Sequence, residues 1–458
     1  MITLLGWMLL ALTAVGSLMN PRLAVYCLVW YDNLRPNDDP MMDILFWTSI
    51  PFSKIYTAVL LFYLLFQYRR FRMTSDTFHW TIALFFFAVV NSALFAPCFG
   101  PAIGRVDDYF KLLLQYYFIC AFLREEKHLR SLLWANGSVA MSIALYYCYT
   151  KFIKGGRPWE GATGDRNEMA MYMVMVMPMF MIMGLTSTKR FVKLVCFGSL
   201  GPLALTILFC GSRGGLLGMG AVMGYMLYRM HHKRWLVVMG VFIALVGLAN
   251  VPPEIAARFT SIGTASKKDA SAIGRINAWG CAKGILRDRP LSGMGVGNFL
   301  VDFRRYAPDP EDVHVAHSSF FQLMGDMGYP GLILWIYMVL SLWLVASWLE
   351  MRVVRLERGR WTDTRYYLAV VKGGWVGYVL CGSFLSQEDM DLFYHLLAIT
   401  SRLGFFIGAR EVQVRIERRE AANAARQAAL QAQNPSPEAW PQAQPGMPGA
   451  WPQGYQGY

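Results

Sequence analysis

The apolar residues of this chain come in blocks of about twenty, the length a helix needs to cross a bilayer core of ~30 Å. In hydrocarbon every backbone N–H and C=O must be paired internally, so blocks of this kind are helices. A β-barrel would show short alternating segments instead. The 458 residues are 55% hydrophobic and only 16% charged, too little charge to cover a soluble protein of this length. The spans read 1–19, 44–66, 79–96, 109–123, 131–149, 169–186, 191–210, 214–228, 235–251, 321–348, 366–386 and 392–409. The expected fold is all-α: a polytopic membrane protein of about 12 transmembrane helices, with a large, partly helical loop between the ninth and the tenth. Residues 1–19 lack a basic n-region and an A-x-A-like cleavage site, so they read as a retained first helix. The run 21–31 is too short to span and reads as re-entrant or interfacial.

Charge orients these spans. Basic residues crowd alternate loops: Arg69, Arg70 and Arg72; Arg124, Lys127 and Arg130; Lys189, Arg190 and Lys193; Arg229, Lys233 and Arg234; Arg352, Arg355, Arg358, Arg360 and Arg365. Arg410, Arg415, Arg418 and Arg419 follow the last span. The positive-inside rule then puts both termini in the cytoplasm. The net charge of +13 is thus accounted for by topology, and no aromatic-plus-basic platform for nucleic acid appears. Loop 151–168 is basic yet falls outside. The eight cysteines lie mostly in apolar spans without a C-x-x-C, and read as small buried hydrophobes. The methionine run MAMYMVMVMPMFMIM reads as lipid-facing packing rather than a metal pathway.

Four regions follow: an N-terminal bundle, 1–251; an external loop, 252–320; C-terminal spans, 321–410; and a cytoplasmic tail, 411–458. The stretch AANAARQAALQAQ extends a cytoplasmic helix, and the Pro-, Gly- and Gln-rich end after it reads as disordered. In the loop, Ser271 precedes a helix in which Ile276, Trp279 and Leu286 share a face fit to rest on the membrane or on neighbouring helices. PLSGMGVGNF, 290–299, is no dinucleotide loop, because no strand precedes it; it reads as a tight turn with close backbone approach. Ser318 or Ser319 can cap a helix through Met324, and Gly328, Pro330 and Gly331 break the chain before the tenth span.

The charge-derived topology places Arg166, Arg213, Arg275 and His317 on the outer side, with Asn167 and His314 beside them. Several arginines and one imidazole at an outer membrane surface suit a lipid-borne diphosphate. Guanidinium groups form paired, charge-assisted bonds to phosphate and keep their charge. A histidine takes a hydroxyl proton near neutral pH. The structural alternatives are plain: Arg213 snorkelling or pairing with a carboxylate such as Asp389, a capping His317, and solvated charges at Arg275, Arg304 and Arg305. Glu388, Asp389 and Asp391 form an acidic outer turn suited to pairing with an arginine.

The ordered series GDRNEMAMYMVMVMP, CGSRGGLLG, GRINAWGCAKGILRDRPLSGMGVGNF and AHSSFFQLMGDMGYPGLILW resembles the O-antigen ligase and polymerase superfamily. The resemblance covers about residues 160–350, and its wording is similar to the O-glycosylation ligases that accompany exosortase A systems. It implies a metal-independent glycosyltransferase of the inner membrane without a cofactor. The enzyme would move a glycan from an undecaprenyl-diphosphate carrier to an acceptor glycan, lipid or protein at the periplasmic face. Carried over by motif, Arg213 and Arg275 contact the donor diphosphate and His317 is the base or acceptor-positioning group; Arg166 and Asn167 fall in the family's pre-helix segment as substrate-binding candidates, and His314 is a further one by its place in the loop. A Wzy-type polysaccharide polymerase is the near alternative. A glycolipid transporter is the distant one, disfavoured because no internal repeat or midplane ionisable pair is evident.

Overall fold

A computed structural model describes residues 2–34, 52–67, 77–154, 165–229, 270–357 and 362–433. The expected span 235–251, loop residues 252–269 and the tail from 434 lie outside the described residues, as does much of loop 151–168. The described residues form helices and no strand. In chain order these are α1 (Ile2–Met19), α2 (Pro21–Leu34), α3 (Phe52–Gln67), α4 (Thr77–Leu94), α5 (Phe99–Phe122), α6 (Glu126–Tyr149), α7 (Arg166–Thr186), α8 (Arg190–Phe209) and α9 (Arg213–Arg229). They continue with α10 (Ala270–Asp288), α11 (Ser319–Leu356), α12 (Asp363–Gly382) and α13 (Asp391–Gln433). Four of them are long and apolar enough to cross a membrane: α7, α8, α11 and the helix that begins at Asp391. Two compact units result, 1–407 and 408–458; in the second, residues 408–430 are helical and mostly exposed.

Helix α7 is the axis of the larger unit, packed against α6, α8, α9 and α12. Its methionines at 169, 171, 173, 175, 177, 179, 181 and 183 are all buried. The expectation that this run faces lipid is therefore overturned. A helix apolar on every side belongs where every side has a protein neighbour, and the unbranched thioether fills irregular gaps there. The segment expected to be re-entrant or interfacial is the helix α2, with Ala24, Val25, Leu28 and Val29 buried against α3, α5 and α6. Of the eight cysteines, all free, Cys120, Cys196, Cys210, Cys281 and Cys381 are buried and Cys98 is exposed.

One charged cluster ties three helices together. Glu350 of α11 accepts from Arg229 of α9 and, at 3.0 Å, from Lys372 of α12, whose ammonium lies 4.8 Å from the Trp343 ring centroid. Glu350 and Lys372 are both buried. Removing one partner of such a cluster leaves uncompensated charge in a low-dielectric setting, at a cost of about 3–5 kcal/mol. Glu350→Ala is expected to lower the melting temperature of the detergent-solubilised protein. Glu350→Leu with Lys372→Met should recover part of that loss, measured by thermal-shift fluorescence.

The glycine-rich turn after α10 behaves as its sequence suggests. Gly293, Gly295 and Gly297 all have positive φ. A Cβ on Gly293 would lie 2.4 Å from the Asp326 carbonyl carbon. Met294 and Gly295 donate their N–H groups to Gly325 O (2.8 Å) and Asp326 O (3.0 Å). Those carbonyls precede Gly328, where α11 kinks with φ 64 and ψ −156. Tyr329 N reaches Pro290 O at 2.8 Å. The turn therefore seats in the kink and fixes where the Ser319 end of α11 sits.

Candidate active site

Helix α10 carries the clamp of the site. Its inward face is Ala278, Cys281, Ala282 and Ile285, and Ile276, of the stripe expected to rest on the membrane or on neighbouring helices, is 64% exposed. Asn277 holds the incoming loop by three bonds: its Nδ2 donates to Asp309 O (2.7 Å) and Asp312 O (2.8 Å), and its Oδ1 accepts from Asp309 N (2.8 Å). Trp279 stacks on Phe321 at 4.7 Å and donates from Nε1 to Ala316 O at 2.9 Å. Gly274 leaves room for the His314 ring: a Cβ there would lie 2.2 Å from Cδ2. His314 Nε2 in turn meets Asp312 Oδ1 at 2.8 Å.

This clamp delivers His317 in an unusual state. Among the described residues it is the one non-glycine residue with positive φ, at 45°. That region is sterically poor for a side chain with a Cβ and is held only by surrounding contacts. The contacts are on the next residues. Ser318 N donates to Ser386 Oγ (3.3 Å), Ser319 Oγ donates to Leu385 O (2.9 Å), and Gln387 N donates to Ser319 Oγ (2.8 Å). Ser318 stands at the expected helix N-cap position but makes no side-chain capping bond, and the Ser319 hydroxyl tethers the 385–387 turn instead of capping. The turn is braced from behind by Tyr378 Oη on Gln387 O (3.1 Å) and Tyr394 Oη on Glu388 O (3.2 Å).

The electrostatics of His317 name its neighbours. Burial first, and the Arg275 guanidinium next, hold its imidazole below the usual value; Asp165 pulls the other way and His314 adds a small lowering. Arg275, His314 and Asp165 are thus all within electrostatic reach of His317, and the His314 ring packs against Gly274, next to Arg275 in α10. Asp165 caps α7 by accepting the N–H of Asn167, which puts Arg166 in the first turn, exposed, and Asn167 half-buried. Arg213 opens α9 after Gly211 (φ 65) and Ser212, whose Oγ accepts Gly215 N at 3.1 Å. The start of α9 lies against the end of α12: Cys381 Sγ contacts Gly214 O at 3.5 Å, and a methyl on Gly214 would sit 3.6 Å from Phe384 Cβ. Arg213 therefore borders the turn that holds Ser318 and Ser319.

The acidic turn meets a different arginine from the one anticipated. Asp389 pairs with Arg105 of α5 at 2.8 Å, and Glu388 lies 3.8 Å from the same guanidinium. Burial first, and the charge of Asp389 next, push the Glu388 carboxyl above its ordinary value, and Asp389 makes the closer contact with the guanidinium. These partners are 284 residues apart, and no local pattern announces the pairing. Asp165, Asn277 and Trp279 also went unassigned as site residues. The capping aspartate before α7 was the legible one of these signals.

A family model described as O-antigen ligase matches residues 198–336. The match supports the O-antigen ligase superfamily. It takes in Arg213, Arg275, His314 and His317, while Arg166 and Asn167 precede it. No curated protein matches the chain. The match and the apolar helices together indicate a membrane enzyme of ligase or polymerase type, with a lipid-linked glycan donor and an acceptor in general terms.

Proposed function

We propose that the protein transfers a glycan from an undecaprenyl-diphosphate carrier to an acceptor hydroxyl or similar nucleophile, at the periplasmic face of the bacterial inner membrane. The observation that carries this reading is the strained His317, held beside Arg275 by the Asn277 and Trp279 clamp. Strain of this kind clusters at functional sites. His317 takes the acceptor proton, and Arg275 and Arg213 stabilise charge gathering on the leaving diphosphate. The chemistry needs no metal, since guanidinium groups supply the charge. Arg166, Asn167 and His314 complete the substrate-binding side. The topology read from charge, with both termini cytoplasmic, places these groups on one face.

The test is a membrane assay of glycan attachment. His317→Ala and Arg213→Ala should each abolish transfer while the protein still inserts; full activity in both would sink the assignment. Whether the acceptor is a growing glycan or a finished conjugate is read in a deletion strain. Loss of all attachment marks a ligase, and loss of long chains alone marks a polymerase. Mass spectrometry of surface glycoconjugates with and without the gene identifies the acceptor, including the exosortase-linked protein acceptors that the motif wording suggests.

A further inference from the structure

The glycine-rich turn and the acidic turn hold opposite ends of the first stretch of α11, and one side chain reaches both. Arg105 of α5 lays its stem on Gly297: a Cβ on that glycine would stand 2.8 Å from Arg105 Cγ. Its guanidinium pairs with Asp389 at 2.8 Å. The pair is sheltered, the Asp389 and Arg105 side chains being 20% and 31% exposed, so salt and water screen it less than a surface pair.

The corner between α4 and α5 also grips the glycine-rich turn. Asn298 Oδ1 accepts Cys98 N at 2.9 Å, and its Nδ2 donates to Cys98 O at 3.1 Å. Ser92 Oγ accepts Val296 N and donates to Asp326 O, both at 2.7 Å. Arg105 thus extends from a corner already bonded to the turn that seats in the α11 kink.

The stretch 319–327 is therefore fixed at each end by a turn, and Arg105 joins the two turns. At one end Ser318 N and Ser319 Oγ bond to Ser386 and Leu385. At the other, Gly325 O and Asp326 O accept the N–H groups of Met294 and Gly295. His317 comes immediately before this stretch, at φ 45°. Left-handed backbone at a residue with a Cβ persists only while its surroundings over-determine it. Two turns fixed against each other supply that constraint. Two independent turns would let the stretch tilt and His317 relax. Tyr378 and Tyr394 brace the acidic turn from α12 and α13, the helices that it connects, whereas Arg105 ties it to a separate part of the chain.

We propose that Arg105 is a positioning residue for His317: by joining the two turns it keeps the imidazole where it can take the acceptor proton, without touching the reacting atoms. The proposal rests on the transferase reading above. Arg105 also borders a cleft with Ser386, Gln387 and Asp389, so direct contact with substrate is the competing role.

A double-mutant cycle on the full chain separates the two. It uses membranes of a deletion strain that makes its own donor and acceptor, with attachment of radiolabelled glycan timed at matched protein level. Arg105→Gln should lower transfer by up to about 10²-fold, the scale of a misplacement of about 1 Å. Asp389→Asn should give a similar fall, and serves if Arg105→Gln does not insert. Arg105→Lys keeps the charge on Asp389 and should recover most of the rate. In the His317→Asn background, followed over long incubation, Arg105→Gln should cost nothing further, because residues that act as one unit do not have additive effects. A fall in that background as large as in the wild type overturns the proposal, since Arg105 would then act on substrate or on the fold as a whole. So does wild-type transfer in Arg105→Gln and Asp389→Asn, or an Arg105→Lys variant as slow as Arg105→Gln. Undiminished transfer in His317→Asn would instead remove the transferase reading itself, whatever Arg105→Gln does.

Discussion

Replacing His317 with asparagine is expected to lower glycan transfer by about 10²–10⁴-fold, the usual worth of a positioned general base. Asparagine is the informative substitution because it tolerates left-handed backbone, where His317 sits at φ 45°. The variant therefore keeps the loop geometry while deleting the imidazole. His317→Gly sharpens the comparison. It relieves backbone strain of about 1–2 kcal/mol, so the melting temperature should hold or rise while transfer is lost. A residue whose removal stabilises the fold and ends the activity is held in place for function, not for packing. Wild-type transfer in the asparagine variant, measured in membranes at matched protein level, would refute the base assignment.

Arg275→Ala is the second large effect, with an expected loss of about 10²–10³-fold from removing one stabiliser of transition-state charge. It carries a signature in pH that a structural role would lack. The His317 imidazole is held below its ordinary value by burial first and by Arg275 second. A base must be unprotonated, so transfer should fall on the acid side with a midpoint below the ordinary histidine value of ~6.5. Removing the guanidinium takes away a charge that opposes protonation. The acid limb of the residual activity should therefore move up toward that value, with the burial contribution remaining. Arg275→Lys keeps the charge but loses the planar, paired donors. Its acid limb should stay near the wild-type position while its rate still falls. An unmoved limb in Arg275→Ala would separate the two side chains and remove Arg275 from the neighbourhood of the base.

The local parts of the site were legible in the residues. Gly211 and Ser212 announce the break before Arg213, Asp165 announces the start of α7, and the 290–299 glycines announce a turn with close backbone approach. Each is a short-range steric or capping effect, so a few adjacent residues suffice to specify it. The clamp was only half legible. Asn277 and Trp279 stood in the right motif, but composition cannot say that their side chains reach Asp309, Asp312 and Ala316 rather than the membrane.

Sequence by itself determined that the chain is helical and largely apolar, and which arginines and histidines stand near one another along the chain; the helix ends were only approximate, as where α5 begins at Phe99 against an expected 109. Those properties follow from backbone hydrogen bonding in an apolar medium and from periodicity, both of which act locally. Only the tertiary structure decided that the methionine helix is the buried axis, that Arg105 rather than Arg213 meets Asp389, and that Asp32 is braced through Gln115 and His395. Those outcomes depend on which helix faces pack together. An apolar face carries no label for its partner, and a buried polar contact between distant residues exists only once the helices around it are assembled.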